Sequence, residues 1–198
     1  MKIISTFITL LLLSAPCSAL IDDYIFKQLT VNDGLSQSTV FATIQDSRGY
    51  MWFGTINGLN RYDGYEFEIF RNKPGDSSSI SSDNIRSLLV TKDGTLWIGT
   101  DNGNINRYNR KTNSFTAFPV RQTENQSNVV GTLIEHSSGS IWAGTNYGLF
   151  SFDPLTNQLV EHVYTDLNDE NALQVNTLLE DEKGNLAVVD LHIPLIKD

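Results

Sequence analysis

Three tryptophans, Trp52, Trp97 and Trp142, stand 45 residues apart, and the chain has no others. The text around them recurs as "GYMWFGTINGL" (49–59), "GTLWIGTDNGNI" (94–105) and "GSIWAGTNYGL" (139–149). Gly49, Gly94 and Gly139 align. So do Gly54, Gly99 and Gly144, each followed by a threonine (Thr55, Thr100, Thr145). Upstream, Val40, Ile85, Val130 and Val175 keep the same 45-residue step, as do Ile44, Leu89, Ile134 and Leu179. A fixed period of this size is the mark of one supersecondary unit used repeatedly.

Each unit reads as four short strands. "VFATIQD" (40–46) alternates apolar and polar residues, as a half-buried strand does. The small residues Ala42, Ser87, Thr132 and Thr177 suit a crowded inner strand. A turn with glycine follows ("SRG", "KDG", "SSG"), then the tryptophan strand, then a second glycine turn at Gly58, Gly103 and Gly148. A third strand ("LNRYD", "INRYN", "LFSFD") and an outer strand at 65–70, 113–118 or 157–163 complete the unit. Four strands in about 45 residues is one β-propeller blade. The predicted fold is all-β, with about three blades (cores 40–70, 85–118 and 130–163) and a partial fourth at 175–186. Together they form an incomplete propeller arc. Tryptophan is expected to fill the wedge between neighbouring sheets, and the Gly-Thr pair to let backbones approach. Polar stretches at 71–83, 119–128 and 164–173 link the blades.

At these residues the chain resembles the two-component regulator propeller family. The family motif of a turn glycine, Leu-Trp-x-Gly-Thr, Gly-Leu and a Tyr/Phe-Asp pair maps onto Gly49, Trp52, Gly54, Thr55, Gly58, Leu59, Tyr62 and Asp63. The second unit adds one residue after Gly103 and carries Asn109 in place of the aspartate; the third keeps Gly148, Leu149, Phe152 and Asp153. The resemblance covers roughly 24–186. It implies the periplasmic sensor region of a membrane receptor whose output module is a histidine kinase or diguanylate cyclase. It also implies a small-molecule or carbohydrate signal. No kinase His box or cyclase motif is present, so no enzyme activity is expected of the chain. The leading expectation is a truncated sensor region; the alternative is a self-sufficient exported binding or scaffold protein that closes by self-association through an open blade edge.

The two ends read differently. Lys2, the apolar run Ile3–Leu13, Pro16 and the small residues to Ala19 predict a signal peptide over 1–19. The apolar run is too short to span a bilayer, which needs about 20 residues. Cleavage would remove Cys17, the chain's one cysteine, and Lys2, leaving 13 basic against 23 acidic residues, a net of 13 − 23 = −10. That charge speaks against nucleic acid as a partner; the signal peptide predicts an exported domain, periplasmic as the resemblance implies. At the other end, Gly184 and Leu186 keep the register. Then Ala187 stands where tryptophan is expected, Val189 where glycine is, Asp190 where threonine is, and Pro194 where the third strand should begin. Residues 187–198 therefore read as a divergent, non-native tail.

Chemistry finds little support. His136, His162 and His192 have no metal-ligand spacing. "DLNDEN" (166–171) lacks the glycine and the closing glutamate of a calcium loop. "TKDGTLW" (91–97) approaches a sialidase-type hairpin box with the wrong spacing. Arg48, Arg61, Arg71, Arg86, Arg107, Arg110 and Arg121 show no grouping. No cofactor, metal or catalytic residue is predicted. The expected ligand-side loops are the second glycine turns, with Asn57, Asp101, Asn102, Asn146 and Tyr147; the plainer reading is that Asn and Asp are good turn formers.

Overall fold

A computed structural model describes residues 26–120, 128–162 and 174–190. The expected signal peptide, the acidic segment 166–171, Arg121, His192 and Pro194 lie outside them. Within them the chain is all-β. β1 (Val40–Gln45), β2 (Met51–Thr55), β3 (Gly58–Tyr62) and β4 (Phe67–Phe70) form the first antiparallel sheet in the order β1-β2-β3-β4. The second sheet holds β5 (Ile85–Val90), β6 (Leu96–Thr100), β7 (Asn104–Asn109) and β8 (Ser114–Pro119). The third holds β9 (Val130–Glu135), β10 (Ile141–Thr145), β11 (Gly148–Asp153) and β12 (Gln158–His162). β13 (Val175–Glu180) and β14 (Leu186–Asp190) pair as a two-stranded fourth. These are the expected blades, and they do not close into a ring.

The change of text after Leu186 is not a change of backbone. β14 runs on to Asp190, pairing Ala187 with Leu179 and Val189 with Thr177. Ladder hydrogen bonds come from the main chain, so a strand persists where the tryptophan, glycine and threonine columns are lost.

The first strands β1, β5, β9 and β13 lie side by side in series, and β5, β9 and β13 each pack also on the second strand of the preceding blade. The core is therefore made between blades. Trp52, Leu59 and Phe70 of the first blade meet Ile85, Leu96, Ile98, Tyr108 and Phe115 of the second, with Ile80 of the linker between them. Trp97 and Ile105 meet Val130, Leu133, Ile141, Phe150 and Phe152 in the same way. Val175 and Leu178 of the fourth unit cover Leu149 and Trp142 of the third. Trp52 and Trp97 are fully buried. Trp142 is only half-buried and stacks at 4.5 Å on His162 of its own blade. The two-stranded unit beyond it offers less surface than a full sheet.

Glycine after each tryptophan sets how closely blades approach. A Cβ on Gly99 would lie 2.1 Å from Ser87 Oγ and 2.6 Å from the Val130 carbonyl oxygen of the next blade. Gly54 and Gly144 sit against Ile85 and Val175 of their following blades in the same manner. In the first turns, Gly49, Gly94, Gly139 and Gly184 all take positive φ, between 80° and 88°, which is the conformation the glycine column supplies.

Gly99→Ala is expected to destabilise by roughly 1–3 kcal/mol, since the opposing carbonyl cannot step aside. Gly131→Ala should change stability little, because nothing lies within 4 Å of an added Cβ there. Urea midpoints of the two variants test this; equal midpoints would refute the close-approach role. A pH dependence follows from the turns. The Thr91 hydroxyl and then the Thr95 N–H hold the Asp93 carboxyl below its usual value. The Asn185 side chain does so for Asp181, and the Glu66 and Tyr65 N–H groups for Asp63. A carboxyl lowered on folding stabilises above its unfolded value of about 3.9 and ceases to as pH falls through the folded value. The urea midpoint should accordingly be level near pH 6 and fall below about pH 4, and Asp93→Asn should shrink that fall.

Candidate functional site

The second turn of each blade, between β2 and β3, β6 and β7, and β10 and β11, lies at the end where the linker enters the inner strand. The threonine column builds this corner. Thr55 Oγ1 donates to the Gly58 carbonyl, Thr100 Oγ1 to that of Asn104 and Thr145 Oγ1 to that of Gly148, each at 3.0 Å. All three threonines are buried, so each hydroxyl satisfies itself while closing the turn. Thr55 Oγ1 and Thr145 Oγ1 also accept the N–H groups of Asn57 and Tyr147.

A serine in the entering segment locks onto this corner. The Ser36 N–H donates to Asn60 Oδ1 at 2.8 Å, Asn60 Nδ2 donates to Ser36 Oγ at 2.8 Å, and Ser36 Oγ shares a hydrogen bond with Thr55 Oγ1. The next blade repeats the lock with Ser81, Asn106 and Thr100. Asn60 and Asn106 are fully buried. In the third blade Phe150 stands in the asparagine column and is buried in the apolar cluster instead. The sequence has Gln126, not serine, in the matching entry position. Serine and asparagine thus come and go together.

The expected ligand-side residues sit at this end. Asn57 Nδ2 donates to the Ser36 carbonyl and Asn102 Nδ2 to the Ser81 carbonyl, at 3.1 and 2.8 Å. Asp101 Oδ1 accepts the Ser82 hydroxyl at 2.7 Å. The N–H groups of Asp101 and Asn146 reach the Asn84 and Val129 carbonyls of the entering segments. These turns hold the linker in place and shape the rim of the axial end.

The opposite end carries a network that no sequence column announces. Asp46, its side chain fully buried, accepts Trp52 Nε1–H at 3.1 Å and Arg110 Nη2–H at 2.8 Å on Oδ2; its Oδ1 accepts the N–H groups of Arg48 and Tyr50. Arg110 belongs to the second blade, so this carboxylate joins two blades. The same column holds Thr91, His136 and Asp181. His136 is the turn residue expected, and its Nε2 lies 3.1 Å from the Gly184 carbonyl and 3.5 Å from Glu180. Glu135 and Glu180 accept the N–H groups of Lys92 and Ser137 in the blade before.

Ser81→Ala and Asn106→Ala should each destabilise by about 1–3 kcal/mol by leaving buried partners unmet. The double variant should cost less than their sum, with a coupling of roughly 0.5 kcal/mol or more. A double-mutant cycle in urea measures it; strict additivity would dissolve the lock.

The comparisons with known proteins follow this architecture. A family model for the two component regulator propeller matches residues 34–57 and 79–102. Histidine kinase P4 of Formosa agariphila is 52% identical over 59 residues, which are 30% of this chain and 4% of that protein. The extracellular domain of a protein described as a hybrid two component system of B. thetaiotaomicron superposes with a TM-score of 0.70 at 26% identity, over 82% of this chain and 23% of that one. A second extracellular domain from that organism gives 0.64 at 24% identity, over 80% and 21%. Virginiamycin B lyase of Staphylococcus aureus shares the fold, with a TM-score of 0.58 at 15% identity over 78% and 50%. The chain thus spans about a quarter or less of that histidine kinase and of these two extracellular domains. Two of its repeats match the two component regulator propeller model, and its sheets are folded as blades like those of the first of these extracellular domains.

Proposed function

We propose that this chain is part of the extracytoplasmic, periplasmic sensing region of a two-component-type receptor, and that it takes a small molecule or carbohydrate at the end of the blades where linkers and second turns meet. The observation that carries this reading is the match, over most of the chain, to the extracellular domain of a hybrid two component system. The geometry supports it. Loops at one end of a rigid β-scaffold are where binding residues concentrate, and the serine–threonine–asparagine locks make this end rigid. At the other end Asp46, Glu135 and Glu180 tie blade to blade.

A ligand that binds only the folded chain raises its stability by about 2.7 kcal/mol at a hundred times its dissociation constant. For a chain of this size that is a rise in Tm of at least about 5 °C. Thermal unfolding of the mature chain against a panel of neutral and acidic oligosaccharides and their monomers should reveal one stabilising class. A flat response across the panel, with unchanged tryptophan fluorescence, would sink the reading.

A further inference from the structure

Every inner strand carries a β-bulge at the same place. Pairing slips between Val40 and Ala42 in β1, between Ile85 and Ser87 in β5, between Val130 and Thr132 in β9, and between Val175 and Thr177 in β13. A bulge takes one residue out of the ladder and re-aims it, and bulges recur beside functional sites. The residues taken out are Phe41, Arg86, Gly131 and Asn176, in strict 45-residue register. On either side the columns are uniform: Val, Ile, Val, Val before and Ala, Ser, Thr, Thr after. The bulge column alone offers an aromatic ring, a guanidinium, a bare backbone and an amide. Packing between equivalent blades selects equivalent side chains, so a different demand sets this column.

Arg86 shows what that demand is. It is half-buried on the innermost strand, with Cζ 4.5 Å from the centre of the Phe41 ring, the bulge residue one blade back. Its Nε is buried and has no hydrogen-bond partner. Among the described residues no carboxylate pairs with it, whereas Arg61 has Glu68 and Arg110 has Asp46. A half-buried guanidinium without an anion is costly unless something supplies one. Two residues upstream, Asn84 Oδ1 is likewise buried without a donor. One blade forward, the matching position is Gly131, exposed and with nothing within 4 Å of where its Cβ would be. The strand order that brings Arg86 onto Phe41 thus leaves room on its other side.

We propose that the bulge column is the ligand-reading surface of the sensing end, and that Arg86, braced on Phe41, anchors the oxyanion of a hydroxylated small ligand. The anion is a carboxylate or a sulfate, both of which fit the guanidinium fork. The ligand occupies the space beside Gly131. This rests on the sensing reading for its biological meaning, while anion capture by Arg86 is measured separately from it.

The test uses the ¹⁵N-labelled mature chain, titrated at constant ionic strength with sodium glucuronate, glucose 6-sulfate and uncharged glucose. Arginine Nε–H signals are followed, Arg86 being assigned by its loss in Arg86→Lys. The expected result is a saturable shift of the Arg86 signal with one or both anions and none with glucose. The anion that moves it identifies the class. Arg86→Gln should weaken that binding at least about tenfold. Gly131→Leu should do the same by filling the space, with its urea midpoint kept. An Arg86 signal that neither anion moves, or anion binding that survives both substitutions, overturns the proposal. Stabilisation by glucose with a silent Arg86 overturns it while leaving the sensing reading standing.

Discussion

A four-stranded antiparallel sheet of this size has two faces to cover and cannot cover either by itself. In this chain each blade solves the problem with its neighbour, and the three apolar clusters each draw on two successive blades. Stability is then a sum of blade terms and interface terms. The consequence is visible in one residue type. Trp52 and Trp97 lie between full sheets and are buried; Trp142 faces two strands and is left half-covered. On the far side of those two strands Leu179 and Val189 are 67% and 50% exposed, apolar groups with no sheet over them among the described residues.

Polar groups reinforce the same interfaces, differently at the two ends. At one end a carboxylate of one blade takes up main-chain or side-chain donors of a neighbouring blade: Asp46 with Arg110, Glu135 with Lys92, Glu180 with Ser137. A buried Asp46 is tolerable because four donors surround it, and a carboxylate so satisfied sets a unique approach rather than adding bulk stability. At the other end the serine, threonine and asparagine locks fasten each linker to the blade it enters. Both devices fix geometry, and a rigid frame is what a recognition surface needs.

The repeat made much of this legible. The blade boundaries, the turn glycines and the close contact at Gly54, Gly99 and Gly144 all follow from aligned columns, because identical residues in equivalent places must meet identical demands. What stayed hidden were relations between columns. Asp46 and Arg110 are 64 residues apart and occur as a pair once. The link of Ser36 to Asn60 shows only when the third unit is seen to lose both partners. The bulge was masked by the pattern itself. "VFATIQ" alternates so regularly that Val40, Ala42 and Ile44 read as one face, yet Val40 opposes Thr55 while Ala42 opposes its neighbour Gly54. The extra residue puts Val40 on the other face, the one the next blade's Ile85 uses against Gly54. Alternation reports period, and one bulge per strand at a fixed place leaves the period of the repeat intact.

That placement has a physical logic. A side chain in the ladder of an inner strand is pressed between two blades, where a change of volume costs roughly 1–3 kcal/mol or more. A residue lifted out of the ladder escapes that constraint. The chain can then hold Phe41, Arg86, Gly131 and Asn176 in one register, with nothing common to their size, charge or shape, while the flanking columns barely vary. Repetition builds the frame, and the bulge gives each blade one position in which it need not repeat.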